Sequence, residues 1–409
     1  MDDDRADFDN VAWDRNDAAW EKSLKFFRSF STLRKIESLA TQKLGKTAKW
    51  VAPMRVGGYN SLYRMRIEGS DGDVMVRPPQ PDLAQFPDEK TLREAATARF
   101  VAQNTRMPVP RVLCYGLSGP DSEVGLFTII QYVENRGCMS HALAMPNEDP
   151  TEPDMLNPSI SEDVLESFYG KAAVHLLQLF EPSFPRIGSL AQTDEDTFSL
   201  ANIPHAILPP KDRTYGTADE WYIMLADMNM AQLVFQRNDL VKTANDCRTK
   251  YVARQLFRRL AKQGRLSTFG FAEDDWEFAY AAPSQFALDP PWWLLLNVPE
   301  MWHSGIGDWT KVYDVRLKTW LRAMEKAEAS PKMEAKGYAL STYMRESWET
   351  GLFWLNYLLG TRVHLLSERE SSAMELFVER KMDESRQRIL VDWDDEAIKE
   401  RWAEVLLAD

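Results

Sequence analysis

Positive charge is in short supply along this chain of 409 residues: 49 Lys plus Arg stand against 62 Asp plus Glu, a net charge of −13. Binding to a nucleic acid backbone draws on clustered cations that release counterions, so the balance argues against a nucleic-acid partner. A small polyanion needs only a local cluster and is not excluded. Cysteine is scarce, with Cys114, Cys138 and Cys247 too few and too scattered for a disulfide framework or a structural zinc site. That scarcity points to a reducing compartment, and the expected location is the cytoplasm. No run of about 18 apolar residues occurs, so no membrane span and no membrane partner are expected. The opening MDDDRADFDN is acidic and lacks the basic-then-apolar order of a signal peptide.

What is present is a globular composition, 44% hydrophobic and 27% charged, with enough length for two cores or for one core split into lobes. Within 13–40, Trp20, Leu24, Phe27, Phe30, Leu33, Ile36 and Leu39 recur at three- and four-residue steps, which predicts an amphipathic helical extension. From Trp50 the period shortens: WVAPMRV, a turn at Gly57-Gly58-Tyr59-Asn60, LYRMRI, a second turn at Gly69-Ser70-Asp71-Gly72, then VMVR. This reads as a three-stranded antiparallel meander, with Tyr63, Met65 and Ile67 on one face and Arg64 and Arg66 on the other. Prolines 78, 79, 81 and 87 forbid a helix until 88–104, where Leu92, Ala95, Ala96 and Phe100 have helical spacing. After Met107-Pro108-Val109-Pro110, the segments RVLCYG and GLFTIIQYV predict two more strands. Beyond Gly137 the pattern is mainly helical, with stripes over 162–180 and 311–327, and the stretches 146–158 and 181–213 read as long loops.

Three motifs carry candidate chemistry. Ala40-Thr41-Gln42-Lys43-Leu44-Gly45-Lys46-Thr47 nearly matches a phosphate-binding loop, but such a loop follows a strand and opens a helix. Here the helix comes first, so Gly45 is read as a helix stop. The Gly57-Gly58-Tyr59-Asn60 turn could bring backbone N–H groups to a triphosphate, with Arg77 on the next strand as a cation and Glu94 on the following helix orienting it by an ion pair. Equally, Gly-Gly turns join ordinary hairpins, and Glu94 suits a solvated helix face. Asp274-Asp275-Trp276-Glu277 offers hard oxygen ligands suited to Mg2+, or alternatively an ordinary helix start.

The order of these pieces resembles the aminoglycoside phosphotransferase and choline kinase group, more narrowly its fungal branch. The residues that carry the resemblance are a Gly-Gly-x-Asn hairpin, VMVRPP, LRE, PVPRV, QYVE and a late DDWEFAYAAPSQFALDPPWW. It implies an α+β, protein-kinase-like two-lobed fold: an extension over 1–44, a small β-rich N-lobe over 45–136 and a large, mainly helical C-lobe over 137–409. It further implies ATP and Mg2+ as cofactors. Gly57, Gly58 and Asn60 would cover the phosphates, Arg77 would stand where a strand lysine is usual, and Glu94 would position it. Gln131 and Val133 would lie in the hinge that meets adenine. Asp275 would bind the metal, helped by Glu277. The acceptor is not implied.

The resemblance also demands a His-x-Asp-x-x-x-x-Asn loop shortly before Asp275, and it is missing. Only residues 267–274 stand between Leu266 and Asp275. None of the thirteen asparagines has Asp five positions before it, and none of the five histidines has Asp two positions after it. A positioned base contributes on the order of 10²- to 10⁴-fold in rate, so the expected protein is a phosphotransferase-like chain with little or no turnover. The alternatives are a kinase using Glu273 or Asp274 as base, and a non-catalytic, pseudokinase-like binder of nucleotide or partner. The intact flanks suggest a gene model or splice form lacking roughly 20 to 30 residues, the length of two strands and a loop.

Overall fold

The structure is a computed structural model that describes residues 3–57, 59–80, 86–117, 124–135, 137–146, 154–194, 197–201, 213–235, 244–266, 272–275, 280–283, 288–330, 339–354 and 357. The amphipathic pattern at the start forms two helices, α1 (Asp3–Arg28) and α2 (Phe30–Leu44), where one was expected. Ser29 divides them: its extended backbone and its hydroxyl, which accepts from Thr32 N–H at 3.2 Å, make it the N-cap of α2. Gly45 ends α2 with φ 67°, the left-handed conformation that glycine adopts without steric cost. The phosphate-loop look-alike is therefore a helix end followed by a strand.

That strand is β1 (Ala48–Val56), and with β2 (Ser61–Ile67), β3 (Val74–Arg77), β4 (Val112–Gly116) and β5 (Phe127–Gln131) it forms an antiparallel sheet of order β1-β2-β3-β5-β4. Alternation in β2 buries Tyr63, Met65 and Ile67 and turns Arg64 and Arg66 to the other face, as their spacing predicted. The buried face packs on Leu33, Ile36, Leu39 and Ala40 of α2, so this helix shares one core with the sheet. Two polar ties fix the pairing: Glu37 accepts from Trp50 N–H at 2.9 Å and Thr41 from Ala48 N–H at 3.0 Å. Helix α3 (Pro87–Asn104) follows β3 and begins with Asp88 and Glu89 at its positive end.

After Gln131 the chain enters the helical lobe, through the short α4 (Met139–Leu143) and α5 (Glu162–Leu179). The stretch 181–213, expected as a loop, holds two strands among its described residues, β6 (Gly188–Asp194) and β7 (Thr197–Ala201). They pair with each other, and β6 pairs with β9 (Tyr280–Pro283), which in turn pairs with β8 (Ala272–Asp275), giving a second antiparallel sheet of order β7-β6-β9-β8. Close approach requires Gly188, since a Cβ there would lie 2.5 Å from the Ala201 carbonyl oxygen. Between the two strand pairs, α6 (Ala218–Phe235) and α7 (Ala244–Lys262) pack on each other around Trp221, Tyr222 and Ala261. Arg258 on α7 donates to Asp227 on α6 at 2.5 Å.

The largest core lies between α5, α8 (Ile306–Glu328) and α9 (Leu340–Thr350). The stripe read from 311–327 is buried as expected at Tyr313, Leu317, Trp320, Leu321 and Met324. Trp309 and Tyr313 stack at 4.4 Å, and their polar atoms find backbone partners, Trp309 Nε1 on Asn297 O and Tyr313 Oη on Pro291 O. Burying such rings with their donors satisfied is what lets them fill a core.

Candidate functional site

Elements around the Gly57-to-Asn60 turn converge from three directions. Gly57 N–H donates to Asn60 O at 2.8 Å, closing the turn on itself. Ser61 N–H donates to Pro78 O at 2.9 Å and Gln80 N–H to Tyr59 O at 2.7 Å, so the turn is stitched to the chain leaving β3. Gln80 is buried, accepting from Ser23 of α1 and donating to Ser61 at 2.6 Å. The turn is held from the sheet and from the N-terminal helix alike. Gly58 lies outside the described residues.

Arg77 ends β3 opposite Thr128 of β5. The ion pair expected between Arg77 and Glu94 is not formed: Glu94 is bound by Lys90, one helical turn earlier on α3. An i,i+4 partner on the same helix face meets the carboxylate without crossing to the sheet, and the Lys90 side chain is only 11% exposed. Its Nζ stands 5.8 Å from the centroid of the Tyr59 ring, directly joining α3 to the glycine turn. Arg93, three residues on, keeps Nε buried with no hydrogen-bond partner, and burial lowers its pKa against the opposing pull of Glu89. Lys90 and Arg93 were not among the expected site residues. The signal that could have found Lys90 is a cation in the first turn of a helix, where the dipole favours acids.

At the hinge, Gln131 N–H is taken by Arg111 O at 2.9 Å and Tyr132 N–H by Asp73 O at 3.1 Å, after which Val133 is left exposed at 49%. Arg64 organises this exit. Its Nε donates to Asp73 at 2.5 Å, its Nη2 to Glu134 at 2.6 Å, and its guanidinium lies 4.0 Å from the Tyr132 ring centroid. The hydrogen bond to Asp73, more than any other influence, holds the Arg64 guanidinium above its ordinary pKa. The two lobes meet along α3: Arg99 donates to Gln192 of β6 at 2.7 Å, and the Phe100 ring contacts Phe184 and Phe198 at 5.2 and 5.4 Å.

Asp275 is the last residue of β8 and pairs with Tyr280 of β9. Glu277 lies outside the described residues. Leu266 is buried against the α6 and α7 core, and β8 already begins at Ala272. Only residues 267–271 therefore separate Leu266 from the strand bearing Asp275.

A polyphosphate fits the donors of the first lobe. Lys90 supplies positive charge beside the turn and Arg77 lies next to it along the backbone, while Arg93, on the same helix as Lys90, keeps a buried Nε without a hydrogen-bond partner. For Mg2+, the carboxylates of β8 are of the right chemical kind, hard oxygens in close sequence.

No protein-family model matches the chain. In sequence it is similar to the altered inheritance of mitochondria protein 9, mitochondrial, of Clavispora lusitaniae, 26% identical over 180 residues. The match spans 44% of this chain and 27% of that protein, so the chain matches about a quarter of its relative's length. Among solved structures it is similar to a Thermobifida fusca protein described as a fructosamine-3-kinase, at 12% identity and a TM-score of 0.44, covering 85% of this chain and 98% of that one. It is also similar to an aminoglycoside phosphotransferase solved with AMP-PNP and hygromycin B, at 12% identity and a TM-score of 0.40, covering 85% and 98%. At these values the likeness is one of outline alone. Among the described residues no helix is long and apolar enough to cross a membrane. The chain is an α+β protein in which an antiparallel sheet with one packed helix leads through an exposed hinge into a larger, mainly helical part.

Proposed function

We propose that this chain is an aminoglycoside phosphotransferase-like protein that binds ATP with Mg2+ and transfers phosphate to an acceptor hydroxyl slowly or not at all. ATP would supply the phosphoryl group and Mg2+ the charge that bridges its phosphates. Gly57, Gly58 and Asn60 would form the cover over the phosphates, Arg77 and Glu94 would belong to their charged surround, and Gln131 and Val133 would offer the hinge to the base. Asp275, with Glu277, would hold the metal. The observation that carries the reading is the shortness of the chain between Leu266 and β8, because residues 267–271 leave no length for a D-x-x-x-x-N loop between two strands. Losing the base and one metal ligand removes the positioning and charge clamp on which phosphoryl transfer mostly rests. The acceptor is a small molecule whose class is open, and neither a nucleic acid nor a membrane enters this reading. The cytoplasm remains the proposed location, although the Clavispora lusitaniae relative is named as mitochondrial.

Melting curves with and without Mg-ATP test the binding half. A ligand that binds only the folded chain raises its stability as RT ln(1 + [L]/Kd), so a concentration-dependent rise in Tm is expected. No rise at millimolar Mg-ATP would sink the nucleotide reading. A radiolabelled-phosphate screen over amino sugars, choline and ketosamines tests the other half, and robust transfer that disappears in Asp275→Ala would show an intact enzyme using another base. The second reading, a pseudokinase-like binder of a protein partner, is favoured if Mg-ATP gives no shift in a chain that melts cooperatively.

A further inference from the structure

We propose that Lys90 on α3, rather than Arg77 on β3, is the cation that holds a nucleotide's polyphosphate beneath the glycine turn. The inference rests on the nucleotide-binding reading above and assigns within it a residue that the sequence resemblance leaves out. Four observations lead to it.

The first is place. Tyr59 is fixed in the turn by the bond that Gln80 N–H makes to its carbonyl, and Lys90 Nζ lies 5.8 Å from the centre of its ring. The Lys90 ammonium is therefore next to the loop that would cover the phosphates. Arg77, at the end of β3 against Thr128, is also close to the turn along the backbone, and the assignment to Lys90 rests on its contact with the Tyr59 ring.

The second is that helix energetics do not account for a lysine here. Lys90 sits in the first turn of α3, the positive end of the helix dipole, where a cation is repelled. Its pairing with Glu94 places the base before the acid, the weaker order for an i,i+4 pair. Asp88 and Glu89 already satisfy that end of the helix. The first penalty is relieved when a polyanion is bound, since the dipole and the ammonium then attract the same charge.

The third is capacity. An ammonium has three N–H donors; Glu94 accepts one and the Tyr59 ring offers a face without a lone pair. Donors remain for phosphate oxygens, to which lysine binds as a compact point charge. The fourth is Arg93, one turn further along the same helix, whose buried Nε lacks a partner. A second donor held unsatisfied beside Lys90 fits a site meant to receive acceptor oxygens.

The test is binding of AMP-PNP, with adenosine as the phosphate-free control, to the full chain and to its Lys90→Met and Arg77→Met variants by titration calorimetry. Lys90→Met is expected to weaken AMP-PNP by about tenfold to a hundredfold, the worth of a charge-assisted hydrogen bond, and to leave adenosine unchanged. Arg77→Met is expected to change both less. Because Lys90→Met leaves Glu94 without its cation, Lys90→Met/Glu94→Met provides a version with no orphaned carboxylate, and it should lose AMP-PNP to the same degree. Wild-type affinity for AMP-PNP in either Lys90 variant, or a larger loss in Arg77→Met, would overturn the assignment while leaving nucleotide binding intact. A wild-type chain that binds neither ligand would overturn the nucleotide reading itself, and the assignment with it.

Discussion

Arg64 Nη2 donates to Glu134 Oε1 at 2.6 Å, tying an inner strand of the first sheet to the segment through which the chain leaves that sheet. The same guanidinium holds Asp73, so one side chain spans the turn between β2 and β3 and the exit after β5. Replacing it with methionine keeps the apolar stem and removes both bonds. Arg64→Met is expected to speed amide exchange at residues 132–135 while α5 and α8 keep wild-type protection, as measured by exchange and mass spectrometry. Equal exchange at the hinge would show that the bonds do not restrain it.

Trp309 is fully buried, stacks on Tyr313 and donates to Asn297 O. Trp309→Ala removes the ring, leaves a cavity among large aromatic neighbours and orphans a carbonyl. A loss of about 3–5 kcal/mol is expected, read as a fall in the denaturant midpoint at unchanged slope.

Gly188→Ala tests the second sheet. The added methyl carbon would meet a backbone oxygen at 2.5 Å, which cannot swing away as a side chain could. The expected cost is about 1–3 kcal/mol, the usual range for overpacking, with the loss centred on the β6 and β7 pair. A variant as stable as the parent, with the hairpin's amide protection retained, would contradict the packing described for Gly188.

Acid should loosen the contact between α5 and α8. The hydrogen bond from Arg322 holds Glu162 below its ordinary pKa of 4.5, and the bond from Lys326 does the same for Glu166. A carboxylate whose folded pKa is depressed contributes stability that is fully present above the unfolded value and is lost as pH falls through the folded one. Stability is therefore expected to decline below about pH 4.5. In Arg322→Met/Lys326→Met this part of the decline should shrink, because the folded and unfolded values then converge. The pairs are exposed, so the effect is expected to weaken in high salt.

Much of the first lobe is legible in the sequence because its signals are local. Alternation at Tyr63, Met65 and Ile67, the glycine at 45 and the proline boundary before α3 each act within a few residues. The stripes of α5 and α8 are equally plain, since helical period and large aromatic residues coincide. The strand β6 was hidden for the opposite reason: GSLAQTD has no strong alternation, and its pairing with β9 depends on residues distant in the chain. The break at Ser29 was overlooked because the apolar spacing continues through it, while the cap that makes the break is a single hydroxyl. At the site, the sequence reading offers Arg77 as the partner of Glu94, whereas the folded helix pairs Glu94 with Lys90. Lys90 lies four residues before Glu94 on the same helix, a spacing that the sequence already shows.

The place of β9 in the second sheet has a consequence for biosynthesis. It is an inner strand, between β6 and β8, and it is made long after β6 and β7. Until the ribosome has released residues past Pro283, β6 presents an unpaired edge, and α6 and α7 must already be made before it can be covered. Pairing across such a separation carries a loop-closure cost and is slow compared with local helix formation. The nascent chain at that stage is a half-sheet with open hydrogen-bonding groups, the kind of surface that holdase chaperones shield and that seeds edge-to-edge association when they do not.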